Sequence, residues 1–208
     1  MMLPGFPIPF YKRLKAIPEF VSASTGQVAS GASLIISAPA GLADGDLLFA
    51  VLVGGVANQT ISGSGWTSEA SRQASSFAVL SKIAAASDAN YTFTFSNSAN
   101  AKGGAIVCYR NDPIIDIIGS ITGTTSTTGV APSVSPSRAG VLLGFFSGTG
   151  TVTIVTPPSG MTQRALQGTG NAKAAVYELT PSPPGATGTR SIVWSSSTTV
   201  NSMLSQIA

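Results

Sequence analysis

Apolar and polar positions alternate with a period of two along short runs throughout the chain. In YTFTF the rings of Tyr91, Phe93 and Phe95 fall on one side, with Thr92 and Thr94 on the other. That alternation marks a strand with one buried face. FAVLSKI, Phe77 to Ile83, puts Phe77, Val79, Ser81 and Ile83 on one face and turns Lys82 away. LLFAVLV, Leu47 to Val53, is apolar at every position, which predicts a strand covered on both faces or partly by a loop. From Ser33 onwards, clusters of Gly, Pro, Ser and Asn separate such runs at intervals typical of sandwiches. No window sustains a helical apolar stripe over three turns, although YKRLKAI and Ala84 to Ala86 could each form about one turn. The pattern predicts an all-β chain.

The runs recur in order. SGWTSEA at Ser64 to Ala70 returns as SGMTQRA at Ser159 to Ala165, an offset of 95 that also lays LLFAV (Leu47 to Val51) over LLGFF (Leu142 to Phe146). FAVLSKI is followed by YTFTF, and AAVYEL (Ala174 to Leu179) by SIVW (Ser191 to Trp194). This self-similarity predicts two diverged repeats of one strand-turn-strand unit, about residues 31–112 and 128–208, within a single body of residues 23–208. Between them, Ile114, Ile115, Ile117 and Ile118 would bury well, and the Gly/Thr/Ser stretch Gly119 to Gly129 predicts a flexible crossing loop or an edge strand. A long connection between two strand groups suits a jelly-roll-like antiparallel β-sandwich.

Residues 1–22 differ from the rest. Prolines at 4, 7 and 9 alternate with Phe6, Ile8 and Phe10, then Tyr11, and a basic cluster of Lys12, Arg13 and Lys15 follows. Proline at this density favours extended geometry and cannot donate ladder hydrogen bonds, which predicts an extended arm. Folding back on its own body and gripping a neighbouring subunit both fit such an arm; the aromatic residues favour the neighbour.

Composition narrows the picture. Over 208 residues, only 9% are charged while 43% are hydrophobic, so Ser, Thr, Asn and Gly must solvate the surface. Eleven basic residues and a formal charge of +3 are too few for a dense phosphate-contacting stripe, which argues against a nucleic-acid partner. The longest apolar run is too short to span a bilayer, and the basic residues follow the N-terminal apolar stretch instead of preceding it, so neither a membrane segment nor a signal peptide is expected. The single cysteine, Cys108, lies in the apolar run AIVCY and reads as a small buried hydrophobe.

Candidate chemistry is sparse. The chain has no histidine, which removes histidine-based triads, dyads and metal sites together. The eight carboxylates each have a turn or packing account: Asp44 and Asp46 flank Gly45, Asp88 lies in SDAN, and Asp112 precedes Pro113. No catalytic, cofactor-binding or metal-ligating residue is therefore assigned, and the expectation is a non-enzyme without cofactors. Trp66, Trp194 and Tyr91 are the candidate glycan contacts, because an exposed ring can stack on a sugar. Packing is the stronger account, since Trp66 aligns with Met161 and Trp194 ends an alternating strand.

GDLLFAVLV (Gly45 to Val53), SGWT, FAVLSKIAAASDANYTFTFS (Phe77 to Ser96) and GAIVCYRNDPIID (Gly104 to Asp116) together resemble a family of small β-sandwich virion structural proteins of tailed bacteriophages. The likeness covers about residues 40–120, and the second copy only through the repeat. Two departures are Asn111, where glycine is common, and the Pro-rich arm. The resemblance implies a capsid decoration (cement) subunit or a tail or fibre-base component, in a virion assembled in the host cytoplasm. Its partners would be major capsid or tail proteins and further copies of the chain, in a trimer or another symmetric ring, with no nucleic acid and no membrane. Phe6, Ile8, Phe10, Tyr11, Lys12, Arg13 and Lys15 are the candidate assembly residues. The alternative expectation is a carbohydrate-binding module for host surface glycans.

Overall fold

The computed structural model of the chain describes residues 16–208. Its first eight strands are β1 (Glu19–Val28), β2 (Ser33–Ser37), β3 (Leu47–Gly54), β4 (Ile61–Gly63), β5 (Thr67–Arg72), β6 (Phe77–Ile83), β7 (Asn90–Phe95) and β8 (Lys102–Arg110). They form a five-stranded sheet in the order β1-β8-β3-β6-β5 and a small sheet in the order β2-β7-β4. The remaining strands are β9 (Ile115–Ile118), β10 (Thr122–Ala131), β11 (Gly140–Thr149), β12 (Ile154–Thr156), β13 (Thr162–Gln167), β14 (Ala172–Ser182) and β15 (Arg190–Ile207). These make a third sheet in the order β10-β15-β11-β14-β13, with β9 and β12 also paired to β15. All pairings are antiparallel. The all-β expectation holds, and the sheets stack face to face as sandwiches do.

The five-stranded sheet is the middle layer, which is why its central strands are apolar on both faces. Leu48, Ala50, Leu52, Ile106 and Cys108 pack against Leu34, Ile36, Phe93 and Phe95 of the small sheet. Alternating with them, Phe49, Val51, Val107 and Tyr109 meet Val141, Leu143, Phe145, Val176 and Met203 of the third sheet. Phe49 and Phe145 face each other across this seam with ring centroids 5.6 Å apart. β15 bends where its pairing with β10 skips from Thr198 to Val193. Its first part then covers the outer face of the third sheet, where Ile192 and Trp194 pack on Leu142, Phe146, Ala175 and Tyr177.

Three expectations change in detail. The sequence pattern carries the arm to residue 22, but β1 begins at Glu19 and pairs Glu19 with Arg110 and Phe20 with Tyr109, so the body starts earlier. Ile114 is 39% exposed and Ile115, Ile117 and Ile118 are only partly buried, because β9 is a four-residue strand at the sheet margin, held by the end of β15. Ile83 shares the parity of Phe77 and Val79, yet it ends β6 and is exposed. The Gly/Thr/Ser stretch forms β10, which pairs only with β15 in the sheet order, as an edge strand would.

Candidate functional site

The chain enters the body at a groove of about 660 Å³ bordered by Ile17, Pro18, Phe20, Arg164, Glu178 and Pro181. Phe20 is placed by the first pairs of β1, Arg164 by β13 and Glu178 by β14. Arg164 grips Glu178 with two parallel bonds, Nε to Oε2 and Nη2 to Oε1, both 2.9 Å. Tyr109, from the middle sheet, donates its hydroxyl to Oε2 at 2.7 Å, and Thr180 donates to Oε1 at 2.7 Å. The Phe20 ring lies 4.5 Å from the Arg164 guanidinium carbon and edge-on to Tyr109 at 5.8 Å. A cation held over an aromatic face in a partly dry setting is attracted by the ring quadrupole. The start of the described chain is thus locked onto an ion pair that also ties the middle sheet to the third.

Burial alone would raise the Glu178 carboxyl. The bonds from Arg164, Thr180 and Tyr109 outweigh it and hold the group below its usual value. A carboxylate with four donors on it is a fixed anion, not a proton carrier. Five of the other seven acids are also engaged. Asp46 accepts from Arg110 at 2.6 and 2.8 Å and from the Ala43 amide at 2.8 Å, and these partners lower it against the opposing pull of burial. Asp88 takes Lys82 at 3.0 Å and the Tyr91 hydroxyl at 3.1 Å. Asp116 caps the amides of Ser137 and Arg138, Asp44 takes the Ala86 amide, and Glu69 takes the Ser81 hydroxyl. Burial pushes the Cys108 thiol up to about 12, so it stays protonated beside Asp46. Among the described residues no group of three or more His, Cys, Asp or Glu could hold a metal ion.

The charge distribution follows from this. All eight acids lie beyond residue 15, as do only eight of the eleven basic residues, so the described body is formally neutral and the whole +3 sits on Lys12, Arg13 and Lys15. These three, with Phe6, Ile8, Phe10 and Tyr11, lie outside the described residues. Of the candidate glycan contacts, Tyr91 is 4% exposed and Trp194 2%, both core residues. Trp66 is half-buried with its ring 5.2 Å from those of Tyr91 and Phe93. The three are not brought together: Trp66 and Tyr91 pack around the small sheet, and Trp194 lies behind the third.

Sequence reasoning missed the Phe20–Arg164–Glu178–Tyr109 cluster. The available signal was Glu178 inside the apolar run AAVYEL, where a charge needs a partner. Comparison with protein-family models, with curated proteins and with solved structures finds no match in any of the three.

Proposed function

We propose that this chain is a non-enzymatic structural protein of a bacteriophage virion, a capsid decoration subunit or a tail or fibre-base component, that assembles through its N-terminal arm. The observation that carries the reading is the separation of charge: a neutral body rich in β edges, and an aromatic, proline-rich arm holding the entire net charge. Neutral surfaces of Ser, Thr and Asn let subunits approach without mutual repulsion. An extended aromatic arm can add anchor contacts on a neighbour at modest ordering cost, because proline already restricts it. The locked groove at Phe20 gives such an arm a fixed point of departure.

The body itself is read as two diverged copies of one sandwich unit. The order β8-β3-β6-β5 matches β15-β11-β14-β13, and Ile61 opposite Phe95 matches Ile154 opposite Trp194. On this reading each copy lays its larger sheet against the other, and the outer strands of each form a small covering sheet. The jelly-roll-like description belongs to the same proposal. The carbohydrate-binding alternative draws less support, since two of its three rings are core residues.

Mass spectrometry of gradient-purified phage particles from the source encoding the chain tests the virion reading. The chain should be present at the copy number of a structural component. Particles lacking it would overturn the proposal.

A further inference from the structure

A cavity of about 450 Å³ opens on the outer face of the third sheet, within the range of roughly 300–1,000 Å³ in which small-molecule sites fall. Its apolar walls include Val152, Ile154, Met161, Leu166, Tyr177 and Trp194, and Leu166 is 36% exposed, so the cavity reaches solvent. The corresponding corner of the first half is differently filled. There the SGWT turn places Trp66 at 5.2 Å from both Tyr91 and Phe93. In the second half the SGMT turn substitutes Met161, and the strand equivalence that matches Phe95 to Trp194 puts Ile192 and Arg190 where Phe93 and Tyr91 stand. Three rings in edge-on and tilted contact in one half thus become a thioether, a branched aliphatic chain and an arginine in the other.

Two polar groups on this cavity lack partners suited to them. Lys173 borders it on the same face of β14 as Tyr177 and is 5% exposed. Its ammonium donates to one acceptor, the Gly168 carbonyl, and no carboxylate pairs with it among the described residues. Burial lowers its pKa, as expected for a cation without an anion. The register shifts at Ser68/Ala70 and Gln163/Ala165 correspond, which sets Phe77 against Ala174 and Ser76 against Lys173, so the repeat unit does not require a charge there. Trp194, 2% exposed, has an indole N–H with no acceptor. A buried donor left unpaired costs about 1–3 kcal/mol, and more for a charged group.

We propose that this cavity binds a small amphipathic carboxylate, with an aromatic or aliphatic body against Met161, Leu166 and Tyr177 and its carboxylate on Lys173. An anion supplies what Lys173 lacks, and an apolar body fills the volume that the first half fills with Trp66. The proposal is independent of the virion reading.

The test uses the full chain carrying Trp66→Phe, so that Trp194 is the single tryptophan. Its emission is followed on titration with 4-phenylbutyrate, octanoate and the primary amide of each acid. At least one acid should give a saturable change, with its amide at least about tenfold weaker. Lys173→Met should weaken the acid by a similar factor, and Met161→Trp, which refills the corner and is read by saturation-transfer NMR because it adds a tryptophan, should abolish binding. Saturation-transfer NMR on the unsubstituted chain gives an independent readout that needs no variant to fold. No saturable binding of either acid, or equal affinity of acid and amide, would overturn the proposal.

Discussion

Glu178 shows how one residue can tie layers together. Its carboxylate receives Arg164 and Thr180 from the third sheet and Tyr109 from the middle one, and the ring of Phe20 closes over Arg164. Removing one member of a buried pair leaves the other uncompensated, so Glu178→Gln should cost about 2–3 kcal/mol in urea unfolding at pH 7. The pH dependence has a definite sign. The folded-state value lies below the ordinary 4.5, so this stabilisation is complete above that pH and is lost as pH falls through the folded value. The gap between wild type and Glu178→Gln should therefore be constant from neutral pH to about 5 and should narrow below about 4.5. A gap that widened on acidification would contradict the account. The cluster was hard to see in advance because a register shift between Gln163 and Ala165 sets the pairing of β13 with β14, and Tyr109 is 69 positions from Glu178.

At the scale of elements, the strands that could be read from the chain were those whose pattern had only one physical solution. Tyr91, Phe93 and Phe95 alternate with exposed Thr92 and Thr94, and β3 is buried at every position because it lies in a middle layer. The sequence of β10 is compatible with either a loop or a strand, since Thr, Ser and Gly on both faces specify neither burial nor register. The isoleucines of β9 misled for a related reason: hydrophobicity says what could be buried, but the short pairing with the end of β15 decides how much is. Gly103 is a case where the constraint lies in another sheet. A Cβ there would overlap the carbonyl oxygen of Ala172, so β8 and β14 approach closely only because the side chain is missing. Gly103→Ala should destabilise by about 1–3 kcal/mol in denaturant unfolding, as other overpacked positions do. An unchanged midpoint would mean that the sheets are not pressed together there.

For the whole molecule, the seam between the middle and third sheets decides whether the halves behave as one. Phe49, Val51 and Val107 share a single core with Leu143, Phe145 and Val176, which predicts one cooperative transition. Each half carries one tryptophan, Trp66 or Trp194. Single-tryptophan variants should report coincident urea midpoints, and separate midpoints would show two independent units. The likeness of the SGWT and SGMT turns and of LLFAV to LLGFF is the sequence signal behind the proposed two-copy reading. What that likeness does not disclose is that β3 and β11 meet across the seam between the middle and third sheets, because both strands are apolar on both faces.

The central functional claim is that a neutral body carries a basic, aromatic assembly arm. Light-scattering mass after size-exclusion chromatography tests it most directly, on the full-length chain and on a version beginning at Ile17, which leaves β1 and its Phe20 lock intact. The account predicts a defined oligomer for the full-length chain and a folded monomer for the shortened one. The same number of subunits per particle in both would contradict it.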